Sequence, residues 1–447
     1  MSEQGAGLLG LAGRLEQRRS LLGLAKLANV GLAMTWGFVV TFVFVRLLPF
    51  HEFRTFLLLV AFANFTISAE LGFSTVIYSR LRRTRLSASN GEKAGGFRSE
   101  ELGVLLLFMG GIIGLGGLII GAALASGAIE TAHPALFLAF YATSALNLVA
   151  LLARRALAAL DHNLWWETLD FVRRILSVAL LFAALAGLPI LTAVLVQLGL
   201  TLLTILIGLV TVQRELAMPV RHWWSLRSGW AHVKANYLGD IGRTSLLTVS
   251  DIAAYNAPYF TIVAATHDPR PLLLFDFVYK MSRALSALVR ALVETMLPDL
   301  TRHFHAGETR LFRLHLRRCM ALSLGVAFGL GALLLIAGPW ISSAMFDGKI
   351  RLQAAELGFI YLLLIALTLI CVSVYLQNGL GRFAALVAPS LAFLCGSLLS
   401  MPVAIWIGQF SAAPFALRFA ACYALVHVAL AFVHGRMIGQ LGKQAAR

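Results

Sequence analysis

Asp276, Lys280, Arg283, Arg290 and Glu294 lie inside one long, mostly apolar stretch, about 271–297. With Ala287 between them they follow steps of 4, 3, 4, 3 and 4. An α-helix brings that spacing onto one face. The opposite face holds Leu272, Phe275, Val278, Leu285, Leu288 and Leu292. The preceding stretch, about 237–263, carries Asp240, Arg243 and Asp251, and places Asp240, Thr244, Leu247, Asp251 and Tyr255 on a similar line. Guanidinium forks match phosphate oxygens, and an ammonium supplies a point charge. Arg243, Lys280, Arg283 and Arg290 are therefore candidate anion-binding groups. Asp240, Asp251, Asp276 and Glu294, with Glu70 near residue 72, are candidate charge-pairing or ion-coupling groups. Three readings stay open: structural pairing (Asp276 with Lys280, Arg290 with Glu294, Asp251 with Arg283), a cationic cavity for an anion, and a coupling-ion site at Asp251 or Asp240.

The elements that position these charges cross a membrane. The 447 residues are 59% apolar and 13% charged, against about 45–50% and about 25% in soluble domains. Mean hydropathy is +0.82. These values exclude a soluble enzyme, a secreted disulfide scaffold and a disordered chain. A charge at the centre of a membrane helix costs roughly 2.5–3.5 kcal/mol. Eight such groups facing lipid would cost on the order of 20 kcal/mol, so they must face protein or water.

Twelve apolar spans are long enough to cross, at about 22–47, 55–78, 102–125, 133–153, 170–187, 190–212, 237–263, 271–297, 319–341, 355–378, 383–407 and 413–435. Of the 37 Lys and Arg residues, 24 fall on one side of this arrangement and 5 on the other. That alternation places both termini in the cytoplasm. It also accounts for the net charge of +16 without nucleic acid. The expected fold is an all-α polytopic membrane protein, with twelve transmembrane helices in two six-helix bundles around a central cavity. Residues 1–212 form the first bundle with a short amphipathic N-terminal segment, 213–236 a cytoplasmic linker, and 237–447 the second bundle. Two halves of parallel topology suit a transporter with its site between them. Arg173 and Arg174 are expected to snorkel to the inner surface, and Arg418 to the outer one.

Other chemistry is sparse. The longest outer segment, about 342–354, carries only Asp347 as a carboxylate, so no acid/base pair is present there. Cys319, Cys371, Cys395 and Cys422 lack metal-ligand spacing. His303 and His305 read as surface residues. No cofactor and no enzymatic activity are expected.

Several short patterns resemble the polysaccharide flippases, the O-antigen and exopolysaccharide exporters of the multidrug/oligosaccharidyl-lipid/polysaccharide exporter superfamily. Arg46-Leu47-Leu48-Pro49-Phe50-His51-Glu52-Phe53 is similar to that family's signature after its first span, with Arg54 where the family has glycine. Glu70-Leu71-Gly72-Phe73 resembles its acidic-Leu-Gly element. Asp251, then Phe277-Val278-Tyr279-Lys280 and Leu297-Pro298-Asp299-Leu300, resemble its Asp, Tyr, Pro order. The resemblance implies a flippase moving a polyprenyl-diphosphate-linked oligosaccharide from the cytoplasmic to the periplasmic leaflet by alternating access, for surface polysaccharide biosynthesis. Membrane lipids and a polysaccharide polymerase or export component are its expected partners. A multidrug or toxic-compound extruder of the same fold, and a membrane-bound glycan polymerase or ligase, are the alternatives.

The charge count makes a topological prediction. In a cysteine-free background, a cysteine replacing Arg310 should react with an impermeant maleimide only after the inner membrane is opened. One replacing Lys349 should react when only the outer barrier is removed. The reverse pattern would invert the orientation.

Overall fold

The protein is described here by a computed structural model covering residues 19–68, 73–89, 97–380, 382 and 384–444. Among these residues the chain is all helix and turn, with no strand. The helices are α1 (Arg19–Leu47), α2 (Phe50–Ser68), α3 (Phe73–Ser89), α4 (Glu100–Ala125), α5 (Pro134–Ala145), α6 (Asn147–Ala159), α7 (Asn163–Leu185) and α8 (Ile190–Glu215). A 3-10 turn, Val220–Trp224, leads into α9 (Leu226–Ala265), α10 (Pro269–His305), α11 (Thr309–Met345), α12 (Ala354–Gly379), α13 (Ala384–Ile407) and α14 (Phe415–Gln444). Described helix falls in every one of the twelve expected spans. The second overlaps α2 and the start of α3, whose Arg80, Arg82, Arg83 and Arg85 make α3 polar. The fourth comprises α5 and α6.

Nine candidate spans among the described residues are long and apolar enough to cross a membrane. The three expected spans that fail this composition test correspond to α7, α9 and α10, the helices with interior charges. Outward apolar side chains are abundant: Leu118 is 72% exposed, Ile336 84% and Phe432 71%. In water such faces would be a liability, whereas hydrocarbon solvates them.

Contacts divide the chain into two compact units. Unit 1 runs to Val43 and from Leu47 to Val249; unit 2 comprises Phe44–Arg46 and Ser250–Arg447. The division falls inside α9, which is a continuous helix of 40 residues, roughly 60 Å long at 1.5 Å per residue.

Unit 1 packs around α6, whose Leu148, Leu152, Ala156 and Leu157 are buried against α3, α4 and α8. The loop after α8 is fastened to the start of α4. A Cβ on Gly103 would collide with the Trp223 carbonyl, and one on Gly229 would lie 2.5 Å from the Glu100 oxygen. Glu101, fully buried, accepts from Arg80 at 3.1 Å and lies 3.1 Å from His232.

Helix α7 begins at Asn163, seven residues before the expected start of its span. Asp170, Arg173 and Arg174 therefore lie roughly 10–16 Å along it, and the expected snorkelling is replaced by internal pairing. Arg173 Nη2 donates to Asp170 at 2.6 Å and Arg174 Nε at 2.8 Å. One turn earlier, buried Glu167 accepts from Arg154 at 2.7 Å and from Asn29 at 2.6 Å. Gln197 Nε2 donates to the Ser177 carbonyl at 3.0 Å. These bonds tie α1, α6, α7 and α8 together with paired polar groups, as an apolar surround demands.

Unit 2 packs around α12, which buries Leu357, Ile360, Leu363, Leu364, Leu367 and Val372 against α10, α11 and α14. His303, expected at the surface, is buried and lies 2.5 Å from Glu308. Arg418 does not reach outward freely; its guanidinium packs over Gly408.

The Glu167 network predicts a measurable stability loss. Glu167→Ala should leave Asn29 without its side-chain acceptor and Arg154 uncompensated, lowering unfolding free energy by about 1–3 kcal/mol. Thermal unfolding of the purified chain in detergent should show the lower midpoint. An unchanged midpoint would mean the network is dispensable.

Candidate functional site

The site is built on α9 and α10 within unit 2, and its position is fixed from the turn that joins them. Pro269 opens α10 behind Asp268, whose side chain accepts from the Arg270 N–H at 3.0 Å. Such a cap satisfies a free helix donor. Arg270 then forks onto Glu356, Nη2 lying 3.0 and 2.9 Å from the two carboxylate oxygens. Glu356 also accepts from the Gln353 N–H at 2.7 Å, closing the capping box of α12. One carboxylate thus sets the relative height of α10 and α12.

Just inside this clamp, Asp276 is buried. Tyr259 of α9 donates to it at 2.8 Å, and Lys280 forms an ion pair with it one turn on. The Tyr259 ring meets Phe275 at 4.8 Å and Tyr279 at 5.8 Å, both edge-on. The Lys280 side chain is only 11% exposed. Its charge is paired with the same carboxylate that joins α9 to α10 through Tyr259.

Pro258 explains a second tie. Proline has no N–H to donate to the carbonyl four residues earlier, which here is Ala254. Ser397 of α13 supplies the missing donor, bonding the Ala254 oxygen. This anchors the part of α9 that carries Asp251 and Tyr255.

The charged face of α10 opens progressively toward its C-terminal end. Asp276 is buried, Lys280 is intermediate, and Arg283, Arg290 and Glu294 are exposed. Arg290 Nε donates to Glu294 at 2.7 Å, and its guanidinium lies 5.9 Å from the Tyr375 ring centre. Arg283 interacts electrostatically with Asp251 and with the hydroxyls of Tyr279, Tyr255 and Tyr375. Among the described residues it forms no ion pair within 4 Å, although Asp251 is accessible too. Arg283 is therefore the cation on this helix whose hydrogen-bonding fork is not taken up by an adjacent carboxylate.

Of the nine charged residues singled out in the sequence, the structure brings six together here: Asp251, Asp276, Lys280, Arg283, Arg290 and Glu294. Asp240 and Arg243 fall on α9, but their side chains lie outside those described. Glu70 lies outside the described residues. Counting Asp251, three cations face three carboxylates, so the cationic excess seen on α10 alone is offset from α9.

The structure also adds residues with no sequence signal. His427 of α14 is fully buried. Its ring lies 4.8 Å from Tyr423, 5.0 Å from Phe393 and 6.5 Å from Tyr255. Its Nδ1 sits 2.9 Å from the Tyr423 carbonyl and so must carry the proton, while Nε2 has no partner among the described residues. Cys371 donates to Ser286 at 3.4 Å, joining α12 to α10 behind Arg283. No group of three or more His, Cys, Asp or Glu side chains arranged to hold a metal occurs among the described residues.

Two substitutions should separate the buried pair from the exposed one. Asp276→Ala strands Lys280 and removes the Tyr259 acceptor, and should cost about 3–5 kcal/mol of stability. Glu294→Ala removes a carboxylate from a pair more than half exposed on both sides, and should cost under about 1 kcal/mol. Thermal unfolding in detergent reads both. Equal losses would contradict the burial gradient.

No protein-family model matches the chain, and no curated protein matches it. Solved structures do. A mutant of the Vibrio cholerae MATE transporter VcmN aligns with a TM-score of 0.61 at 15% identity, covering 96% of this chain and 97% of that one. A multidrug resistance MATE family transporter of the MOP superfamily, in an inward-facing conformation, gives 0.64 at 13% identity, covering 94% and 99%. The eukaryotic MATE transporter AtDTX14 gives 0.60 at 13%, covering 97% and 99%. At these identities the likeness is one of fold: the chain has the architecture of the MATE transporters, twelve transmembrane helices in two bundles.

Proposed function

We propose that the chain is an alternating-access membrane transporter whose cargo is anionic at the point where it meets α10. The observation that carries this reading is Arg283: an accessible guanidinium with Tyr279, Tyr255 and Tyr375 within electrostatic reach and no carboxylate at ion-pair distance among the described residues. A diphosphate can take both arms of that fork, and charge-assisted bonds of this kind are the strong ones. Arg290 stands two turns further along the same face and can reach a second phosphoryl group by releasing Glu294. Lys280 contributes through the local field only. The cargo that fits best is a polyprenyl-diphosphate-linked oligosaccharide carried between leaflets of the bacterial inner membrane, its tail remaining in lipid. The motif resemblance around Asp251, Tyr279 and Pro298 supports the same cargo. A polysaccharide polymerase or export component would then be its working partner.

A second reading has its own support. One fold neighbour is described as a multidrug resistance transporter, and the structural likeness favours drug extrusion over glycolipid flipping. Within unit 2, Tyr255, Tyr279 and Tyr375 lie within electrostatic reach of the accessible carboxylate of Asp251. Aromatic faces beside a carboxylate suit an organic cation. In this reading Asp251 is the binding group and Arg283 its counter-ion.

One experiment separates the two. The gene is deleted in its host, and lipid-linked oligosaccharide is assayed for its leaflet while sensitivity to cationic drugs is measured in parallel. The glycolipid reading expects cytoplasmic-leaflet accumulation, restored by wild type and about 10- to 100-fold less well by Arg283→Ala in rate. Asp251→Asn should affect it less. The drug reading expects unchanged glycolipid, increased drug sensitivity, and failure of Asp251→Asn to restore resistance. Full glycolipid transport by Arg283→Ala at normal expression would sink the anionic-cargo proposal.

A further inference from the structure

Unit 2 contains a concavity away from the charged face. It is an open groove of about 460 Å³, lined by α12 and α14, within the ~300–1,000 Å³ usual for a small-ligand pocket. Leu362, Ile365 and Leu369 form one wall, and Val428 and Phe432 the other. On α12 these residues lie on the other side of the helix from Cys371 and Tyr375, which face α10 and Arg283. The groove therefore belongs to the outward, apolar surface of unit 2, where Phe432 and Leu425 are prominently exposed. Gly435 keeps its floor open, and a single charge, Arg436, closes one end.

That combination has a direction. Arg436 stands 21 residues into α14, roughly 32 Å from the helix start, which is one hydrocarbon thickness. Helical side chains lean toward the N-terminus, so the Arg436 stem points back over the groove while its guanidinium sits at headgroup level. No ion pair within 4 Å involves Arg436 among the described residues. By the charge asymmetry of the loops, this end is cytoplasmic, the side where anionic lipid is drawn to basic side chains.

We propose that this groove binds one anionic phospholipid of the inner leaflet, with an acyl chain lying between α12 and α14 and its phosphate on Arg436. The apolar walls match the chain and the guanidinium matches the phosphate. The site is independent of the transport cargo, since it involves none of the charged residues of α9 and α10. Because α12 presents the groove on one side and Cys371 and Tyr375 on the other, an occupied groove braces the helix that backs Arg283.

The test uses the full chain reconstituted in phosphatidylcholine vesicles doped with phosphatidylglycerol. Phe432→Trp places an indole in the groove, and the increment of fluorescence over wild type is recorded. Brominated acyl chains are carried either by phosphatidylglycerol or by phosphatidylcholine. The proposal expects the added indole to be quenched about fivefold more effectively by the brominated anionic lipid. Arg436→Gln should abolish that preference, and Arg436→Lys should retain most of it. Equal quenching by the two lipids with Arg436 present would overturn the proposal. So would a preference that survives Arg436→Gln, or an indole shielded from both lipids because a second copy of the chain covers it. Size-exclusion profiles matching wild type certify each variant. If Phe432→Trp does not fold, native mass spectrometry compares phosphatidylglycerol retained by wild type and by Arg436→Gln; equal retention overturns the proposal in the same way.

Discussion

A bilayer interior offers no hydrogen-bond partners, so every polar group placed there must find one within the protein. Most of the internal architecture follows from this. Glu167 gathers Arg154 and Asn29, Asp170 gathers Arg173 and Arg174, and Asp276 gathers Lys280 and Tyr259. Each carboxylate joins groups from neighbouring turns or neighbouring helices. The bonds that satisfy the charges are the same bonds that fix which helix faces which. Even the backbone obeys the constraint: Pro258 frees the Ala254 carbonyl, and Ser397 takes it.

The same requirement decides which charges remain available. Near the start of α10, where the side chains are buried, Asp276 and Lys280 neutralise one another and become structural. Toward the other end, solvent reaches Arg283, Arg290 and Glu294, and pairing is no longer compulsory. An accessible guanidinium beside an accessible carboxylate can exchange partners at little net cost, because water stabilises both when they part. Arg283 and Asp251 thus stay accessible while Lys280 is held in a buried pair, a difference the shared amphipathic pattern does not show.

The two units satisfy their interior charges differently. In unit 1, Asp170 is held by two arginines of its own helix, and Glu167 by side chains from α1 and α6. In unit 2 the charges of α10 are distributed along an exposed face and answered in part from α9. A network closed on itself favours rigidity, whereas one open to water favours exchange with a ligand. That contrast supports the proposed binding role of unit 2 on physical grounds separate from any resemblance.

The spans, their helical character and the amphipathic face of α10 were legible in the sequence because hydrophobic length and a 3–4 periodicity are local properties. The i,i+4 pairs, Asp276 with Lys280 and Arg290 with Glu294, were legible for the same reason. The start of α7 was not: its charges resemble a membrane boundary until Asp170 is seen to answer Arg173 and Arg174 on the same helix, and Arg154 and Asn29 to answer Glu167 from other helices. His427 carried no signal, since a lone histidine in an apolar run gains meaning only from Tyr255, Phe393 and Tyr423 around it. Nor did Gly103 or Ser397, each defined by a backbone atom more than a hundred residues away. What the sequence by itself determined is that charge crosses this membrane on helices, and on which faces. Only the tertiary structure decided which of those charges are spent on one another and which are left for a ligand, because pairing across helices depends on distances that no local pattern encodes.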